Sequence, residues 1–232
     1  MALVSYDGWL FLLRWVHFLA GITWIGVLYY FNFVQTPFFA ETDPSVRSGA
    51  IQKLVPRALW WFRWGAMFTF LSGGILLLHR MPETGFVSTY SWAILLGSIM
   101  GTIMWANVWF VIWPAQKVVI ESATRVAQGG QPIAEAAARG QRAGFASRTN
   151  TLLSIPMLFY MGAASHLANL PVPRSGALFW IICGIILAIV EGNALFGRGG
   201  PTKKLLATVS GTVWAGFILA AIFYILFEVL RS

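Results

Sequence analysis

The sequence predicts an all-α integral membrane protein: a six-transmembrane-helix bundle, one domain over residues 1–232, with a helical cytoplasmic loop between spans three and four. Three observations predict it. The chain is 58% hydrophobic and only 10% charged, with a mean hydropathy of +0.71, whereas charged residues make up about a quarter of a soluble domain. Six apolar stretches approach or exceed the ~20 residues a helix needs to cross a bilayer. The basic residues between them gather in alternate loops, as cytoplasmic loops do.

The spans fall at about 8–34, 60–79, 91–113, 151–170, 177–196 and 205–230. Residues 1–7 lack the basic region of a signal peptide, so the first run reads as a retained span. The first loop carries Arg47, Lys53 and Arg57, the third Lys117, Arg125, Arg139, Arg142 and Arg148, and the fifth Arg198, Lys203 and Lys204. The opposite side has Arg80, Arg174 and Arg231. This asymmetry predicts a multi-pass protein of the bacterial inner membrane with both termini periplasmic. The net charge of +8 belongs to these loops, so nucleic acid is not an expected partner and the lipid bilayer is. Twelve Trp and eighteen Phe suit interfacial aromatic belts. The single cysteine, Cys183, excludes a disulfide within the chain. No CxxCH is present, which excludes the usual attachment of a c-type haem.

The third loop should be structured. Residues 117–128 have helical periodicity and extend the third span. Gly129-Gly130-Gln131-Pro132 breaks that helix, and the Ala-rich residues 133–147 lead into the fourth span.

Histidines in hydrocarbon mark functional sites by default, and this topology puts all three, His17, His79 and His166, on the outward side. Arg14, His17, Gly21 and Trp24 share one helix face in span one. His17 can ligate a metal through neutral imidazole. Gly21 would let a flat ring approach, Trp24 would wall it, and Arg14 would pair with a propionate. A plainer reading has Arg14 snorkelling outward and His17 hydrogen-bonding another helix. At ~1.5 Å per residue, His17 lies ~12 Å deep and His166 ~7 Å deep. That favours His17 and His166 as iron ligands of one haem b. His79, nearly at the surface, is the interface residue or the alternative ligand. A second haem would need Met or another ligand.

A second polar set lies toward the cytoplasmic face: Arg63, Asn107, Arg148, Asn150 and Glu191. Glu191 is the one carboxylate well inside a span, and such a group must be paired or protonated. By depth, Arg63 or Arg148 is the expected partner. The set is either a structural tie between helices or a proton route or small-molecule pocket.

Three segments resemble the membrane-bound, cytochrome-c-linked bacterial urate oxidases. They are residues 14–26 (RWVHFLAGITWIG), 106–116 (ANVWFVIWPAQ) and 147–161 (SRTNTLLSIPMLFYM) followed by His166. The resemblance carries over to His17, His166, Asn107, Asn150 and Pro156. Family members have a C-terminal cytochrome c domain on the outer side, whereas this chain ends at Ser232. Thr149 stands where the family tends to have a histidine. The resemblance therefore implies a partnership with a separate cytochrome c, or a c-type domain of another protein, on the outer side.

Three functions follow as expectations. The first is a b-type haem protein that passes electrons to or from an external cytochrome c, within a respiratory or oxidase-type complex or a homo-oligomer. The second is a membrane-bound oxidoreductase of urate or another small molecule, using Arg63, Asn107, Arg148, Asn150 and Glu191 as its pocket. The third is a cofactor-free accessory membrane subunit.

Overall fold

The computed structural model describes residues 2–85, 88–196 and 201–231. The chain opens with α1 (Tyr6–Tyr29), capped by Ser5, whose hydroxyl accepts from the Gly8 amide at 3.1 Å. At Tyr30–Gln35 the helix loosens into a π-helical segment, then tightens again as α2 (Thr36–Glu41). Pro37 supplies the cause. It has no amide hydrogen and its ring crowds the carbonyl one turn back, and the ladder adjusts: the Thr36 amide reaches the Phe31 carbonyl, five residues back. The same device recurs in the next long rod, where α5 (Thr89–Ala106) passes through a π segment (Asn107–Ile112) into α6 (Trp113–Ala127). Pro114 stands just beyond, and the Trp113 amide bonds the Val108 carbonyl.

Between these rods lie α3 (Pro44–Lys53) and α4 (Val55–Thr84). The end of α6 is closed by Gly129 at φ +83, a conformation that suits glycine. The Ser122 hydroxyl takes the Ile133 amide and pins the turn back on α6. After it come α7 (Ala136–His166), α8 (Gly176–Leu195), α9 (Pro201–Ala207) and α10 (Val209–Val229). Among the described residues there is no sheet, only an isolated bridge between Pro173 and Arg231.

Five helical rods are long and apolar enough to cross a membrane: Tyr6–Glu41, Val55–Glu83, Thr89–Ala127, Gly176–Leu195 and Val209–Val229. The fourth expected span, inside α7, is long enough at 31 residues but too polar to join them. Its place in the bundle explains why. α7 packs against α5, α6, α8 and α10, and its Thr149, Asn150, Thr151 and Ser154 are fully buried. A helix lined by other helices can carry polar side chains that a lipid-facing helix cannot. Contact is close: a Cβ at Gly216 on α10 would lie 2.8 Å from the Leu152 carbonyl oxygen. α1 packs mainly on α4, where a Cβ at Gly65 would meet the Trp24 amide nitrogen at 3.1 Å.

Helix ends differ from the apolar runs for local reasons. α7 stops at His166 rather than 170 because Leu167 leaves helical geometry ahead of Pro171 and Pro173. The last rod begins at Val209, where the Thr208 hydroxyl caps the Gly211 amide at 3.0 Å. At the other extreme, α2, α6 and the start of α7 run past the apolar runs and, with α3 and α9, form one end of the bundle.

Candidate functional site

Residues 147–154 of α7, Ser-Arg-Thr-Asn-Thr-Leu-Leu-Ser, form a buried polar shelf. The two π segments approach it, and each presents an asparagine. Asn32 donates to the Leu28 carbonyl at 2.9 Å and to the Ser147 hydroxyl at 2.8 Å. Asn107 donates to Asn150 Oδ1 at 2.9 Å and to Glu191 Oε2 at 3.0 Å. Asn150 in turn donates to the Met104 carbonyl at 2.9 Å. The Ser154 hydroxyl spends its hydrogen on the Thr151 carbonyl, so Tyr29 donates to Ser154, at 2.9 Å. Asn32 and Asn107 both lie in π segments, and such segments recur at functional sites.

This geometry corrects one expectation. Among the described residues, no ion pair joins Glu191 to Arg63 or Arg148; its hydrogen-bond partner is Asn107. Asn107, Asn150 and Glu191 are brought together, and the two arginines go elsewhere. The Arg63 guanidinium lies 4.0 Å from the Trp113 ring centroid and 5.9 Å from those of Trp64 and Trp109. Ring faces there take the place of a counter-ion. Arg148 lies in the wall of a cavity.

That cavity, of about 930 Å³, opens at the end of the bundle built by α2, α3, α6, the start of α7 and α9. Phe31, Phe39, Val55, Leu59 and Ile112 give it apolar surface, and Asn32, Gln35, Ser48, Gln116, Gln141 and Ser147 give it neutral polar groups. Its size falls within the range of small-molecule sites. Arg148 is 9% exposed, and its Nη1 is buried with no hydrogen-bond partner. Gln35 Oε1 is likewise buried and unpartnered. Among the described residues no carboxylate pairs with Arg148, so an anionic or carbonyl-bearing occupant would suit this wall.

Sequence reasoning singled out Arg148 but missed Asn32, Gln35 and Gln116 as cavity residues. A signal was present. Phe-Val-x-x-Pro occurs at 33–37 and again at 110–114, and marks both π segments.

The histidines occupy the other half of the molecule. His17 faces α4, its Nδ1 2.9 Å from the Thr69 carbonyl oxygen and 3.2 Å from Ser72 Oγ. A carbonyl only accepts, so Nδ1 carries the proton and Nε2 keeps its lone pair. Gly73 makes the seat, since a Cβ there would lie 2.8 Å from His17 Cε1. An imidazole oriented in this way through its other nitrogen suits a single metal-ligating histidine. Gly21 faces Thr69 at 3.9 Å from its notional Cβ, Trp24 is buried with its indole N–H unpartnered, and Arg14 is exposed. His79 is exposed, donates to the Ile75 carbonyl at 3.0 Å and lies 6.0 Å from the Tyr6 ring. His166 is exposed at the last position of α7. The hydrogen bonds between α1 and α7 are at the cavity end, and none joins His17 to His166. Among the described residues, no group of three or more His, Cys, Asp or Glu could hold a metal ion.

A family model described as urate oxidase N-terminal matches residues 83–224. No curated protein and no solved structure matches the chain. The matched segment includes Asn107, Gln116, Arg148, Asn150 and Glu191, and leaves out α1 with His17 and the π segment with Asn32 and Gln35.

Proposed function

The chain belongs to the urate oxidase N-terminal family, and on that premise we propose that it is a membrane-embedded oxidoreductase that takes urate, or a closely related oxopurine, into the cavity walled by Arg148. Arg148 in that wall, 9% exposed and with no carboxylate partner among the described residues, is the observation that carries the reading. Urate is a flat bicyclic monoanion near neutral pH, edged by alternating ring N–H groups and carbonyl oxygens. Guanidinium matches such oxygens with directed, charge-assisted hydrogen bonds. Phe31 and Phe39 offer apolar surface to the ring faces, while Gln35, Gln116 and Asn32 offer neutral partners to its edge. Arg148 would bind and orient the anion and stabilise the negative charge remaining on it as the proton leaves. The Asn107–Asn150–Glu191 cluster, two residues along α7, would hold the helix in register behind it.

Oxidation of the urate monoanion to neutral dehydrourate removes two electrons and one proton, which passes to water. We assign the electrons to an external c-type cytochrome, two oxidised molecules for each urate, each taking one electron. The seat of His17 fits one imidazole ligand of a haem b, with His166 or His79 as the second, and such a haem would supply one-electron transfer. In this frame α7 is a sixth span, both termini lie on the periplasmic side of the inner membrane, and the cavity faces the cytoplasm. The basic side chains of the first, third and fifth loops support that orientation.

The test is turnover by the purified full chain with urate and oxidised cytochrome c. Loss of urate with two cytochromes reduced per urate is expected, and Arg148→Met should lower the rate by a hundredfold or more. Absence of both binding and turnover in the parent protein would overturn the reading. The held imidazole of His17 favours a second reading, a b-type haem protein that only passes electrons. A reduced-minus-oxidised spectrum of parent and His17→Ala proteins, together with an absence of urate binding, would select it. A protein with neither spectrum nor binding would be an accessory subunit.

A further inference from the structure

We propose that Arg63 and Lys117 bind the phosphodiester of an anionic phospholipid on the flank of the bundle where α4 meets α6. The proposal is independent of the oxopurine reading. Its basis is two cations held against one ring. The Arg63 guanidinium lies 4.0 Å from the Trp113 ring centroid, and Lys117 Nζ, one turn along α6, lies 5.6 Å from it. Among the described residues neither side chain has an ion-pair partner, and neither lines the cavity. An indole face attracts a cation. A second cation against the same ring adds like-charge repulsion, and an anion bound by both offsets it with charge-assisted hydrogen bonds.

The surroundings point to a lipid as the source of that anion. Both helices belong to rods long and apolar enough to cross a membrane, Val55–Glu83 and Thr89–Ala127. Lys117 is exposed, and Arg63 and Trp113 are half-buried, so the pair is open to the outside of the bundle. Trp64 and Trp109, each 5.9 Å from the Arg63 guanidinium and 5.6 Å from each other, fix the arginine further. Trp60 continues the row at 6.5 Å from Trp64, and Trp60, Trp61 and Phe110 are exposed. Such a row of aromatic rings suits headgroup depth. A phosphate there can meet guanidinium and ammonium together while its acyl chains lie on apolar helix surface, as headgroups do in basic pockets between membrane helices. Charge selects the headgroup. Phosphatidylethanolamine brings an ammonium that both cations repel, whereas phosphatidylglycerol adds only a neutral glycerol. Each cation should contribute about fivefold to retention of the anionic lipid.

The experiment titrates phosphatidylglycerol and phosphatidylethanolamine with the same acyl chains into the delipidated full chain in detergent, and counts bound lipid by native mass spectrometry. Parent, Arg63→Gln, Lys117→Gln and the double variant are compared, with helix content as the folding check. Lys53→Gln, which removes an exposed cation on α3, is the control for a generally basic surface. The parent should bind phosphatidylglycerol about tenfold or more tighter than phosphatidylethanolamine. Each single substitution at Arg63 or Lys117 should weaken phosphatidylglycerol binding about fivefold. The double variant should bind both lipids alike, and Lys53→Gln should match the parent. Lys117 is exposed, so Lys117→Gln decides the matter alone if the Arg63 variants do not fold. A large excess of inorganic phosphate should leave the lipid bound, because the acyl chains add contacts that the free anion lacks. Four results overturn the proposal: equal affinity of the parent for the two lipids, an unchanged preference in folded Lys117→Gln, a loss in Lys53→Gln as large as in Lys117→Gln, or displacement of the lipid by phosphate.

Discussion

At the scale of single residues, two ionisable groups, the half-buried Glu191 and the buried Arg148, are stabilised in different ways. Glu191 has an amide partner, Asn107, so its oxygens accept where an arginine was expected. Glutamine at this position can accept the same hydrogen bond. Glu191→Gln should thus change stability by less than ~1 kcal/mol, whereas Glu191→Leu, which leaves the buried Asn107 amide short of an acceptor, should lose about 1–3 kcal/mol. Thermal unfolding of the two variants in one detergent checks this, and equal destabilisation by both would contradict it. Arg148 is the opposite case, since its buried Nη1 has no partner in the protein. Replacing it with methionine removes an uncompensated charge. The variant should be as stable as the parent or more stable, by up to about 1–4 kcal/mol, while losing ligand binding. Stability gained with function lost is the signature of a site maintained for a ligand, and a destabilised Arg148→Met protein would instead mean that the arginine ties helices together.

At the scale of elements, the two π segments do most to set the site. Pro114→Ala restores an amide hydrogen and favours regular helix by about 3 kcal/mol. Regularising the ladder would swing Asn107 off Asn150 and Glu191. We expect the variant to keep its helix content but to lose at least tenfold in turnover. Circular dichroism together with the cytochrome assay tests this, and unimpaired turnover would mean that the π geometry is incidental. Much of this scale was legible beforehand. The long rods coincide with apolar runs, and the break at Gly129 and Gly130 was readable from glycine and proline alone. The π segments were not readable, because shifting a hydrogen-bond ladder by one residue leaves composition unchanged. Glu191 was assigned arginine partners because rise along a helix gives depth but not direction around the bundle. The cavity was illegible for a related reason, since its walls come from the segments near 31–59, 112–126, 136–148 and 206–207.

At the scale of the whole molecule, the chain divides into a histidine-bearing half, where α1 lies on α4, and a cavity-bearing end rich in basic residues. α7 read as a span from its apolar stretch, and the structure shows why that stretch is weak: its polar side chains face other helices rather than lipid. If the six-span frame holds, reporter fusions at Gln131 should be cytoplasmic and those at Pro173 periplasmic. An external Gln131 would invert the molecule and place the cavity on the periplasmic side. The central claim is that Arg148 makes the cavity a site for urate-like oxopurines. Direct titration of urate into the parent and Arg148→Met proteins in nanodiscs tests it most simply. We predict saturable binding to the parent and loss of at least a hundredfold in affinity in Arg148→Met; no binding to the parent, or equal affinity in both, would contradict it.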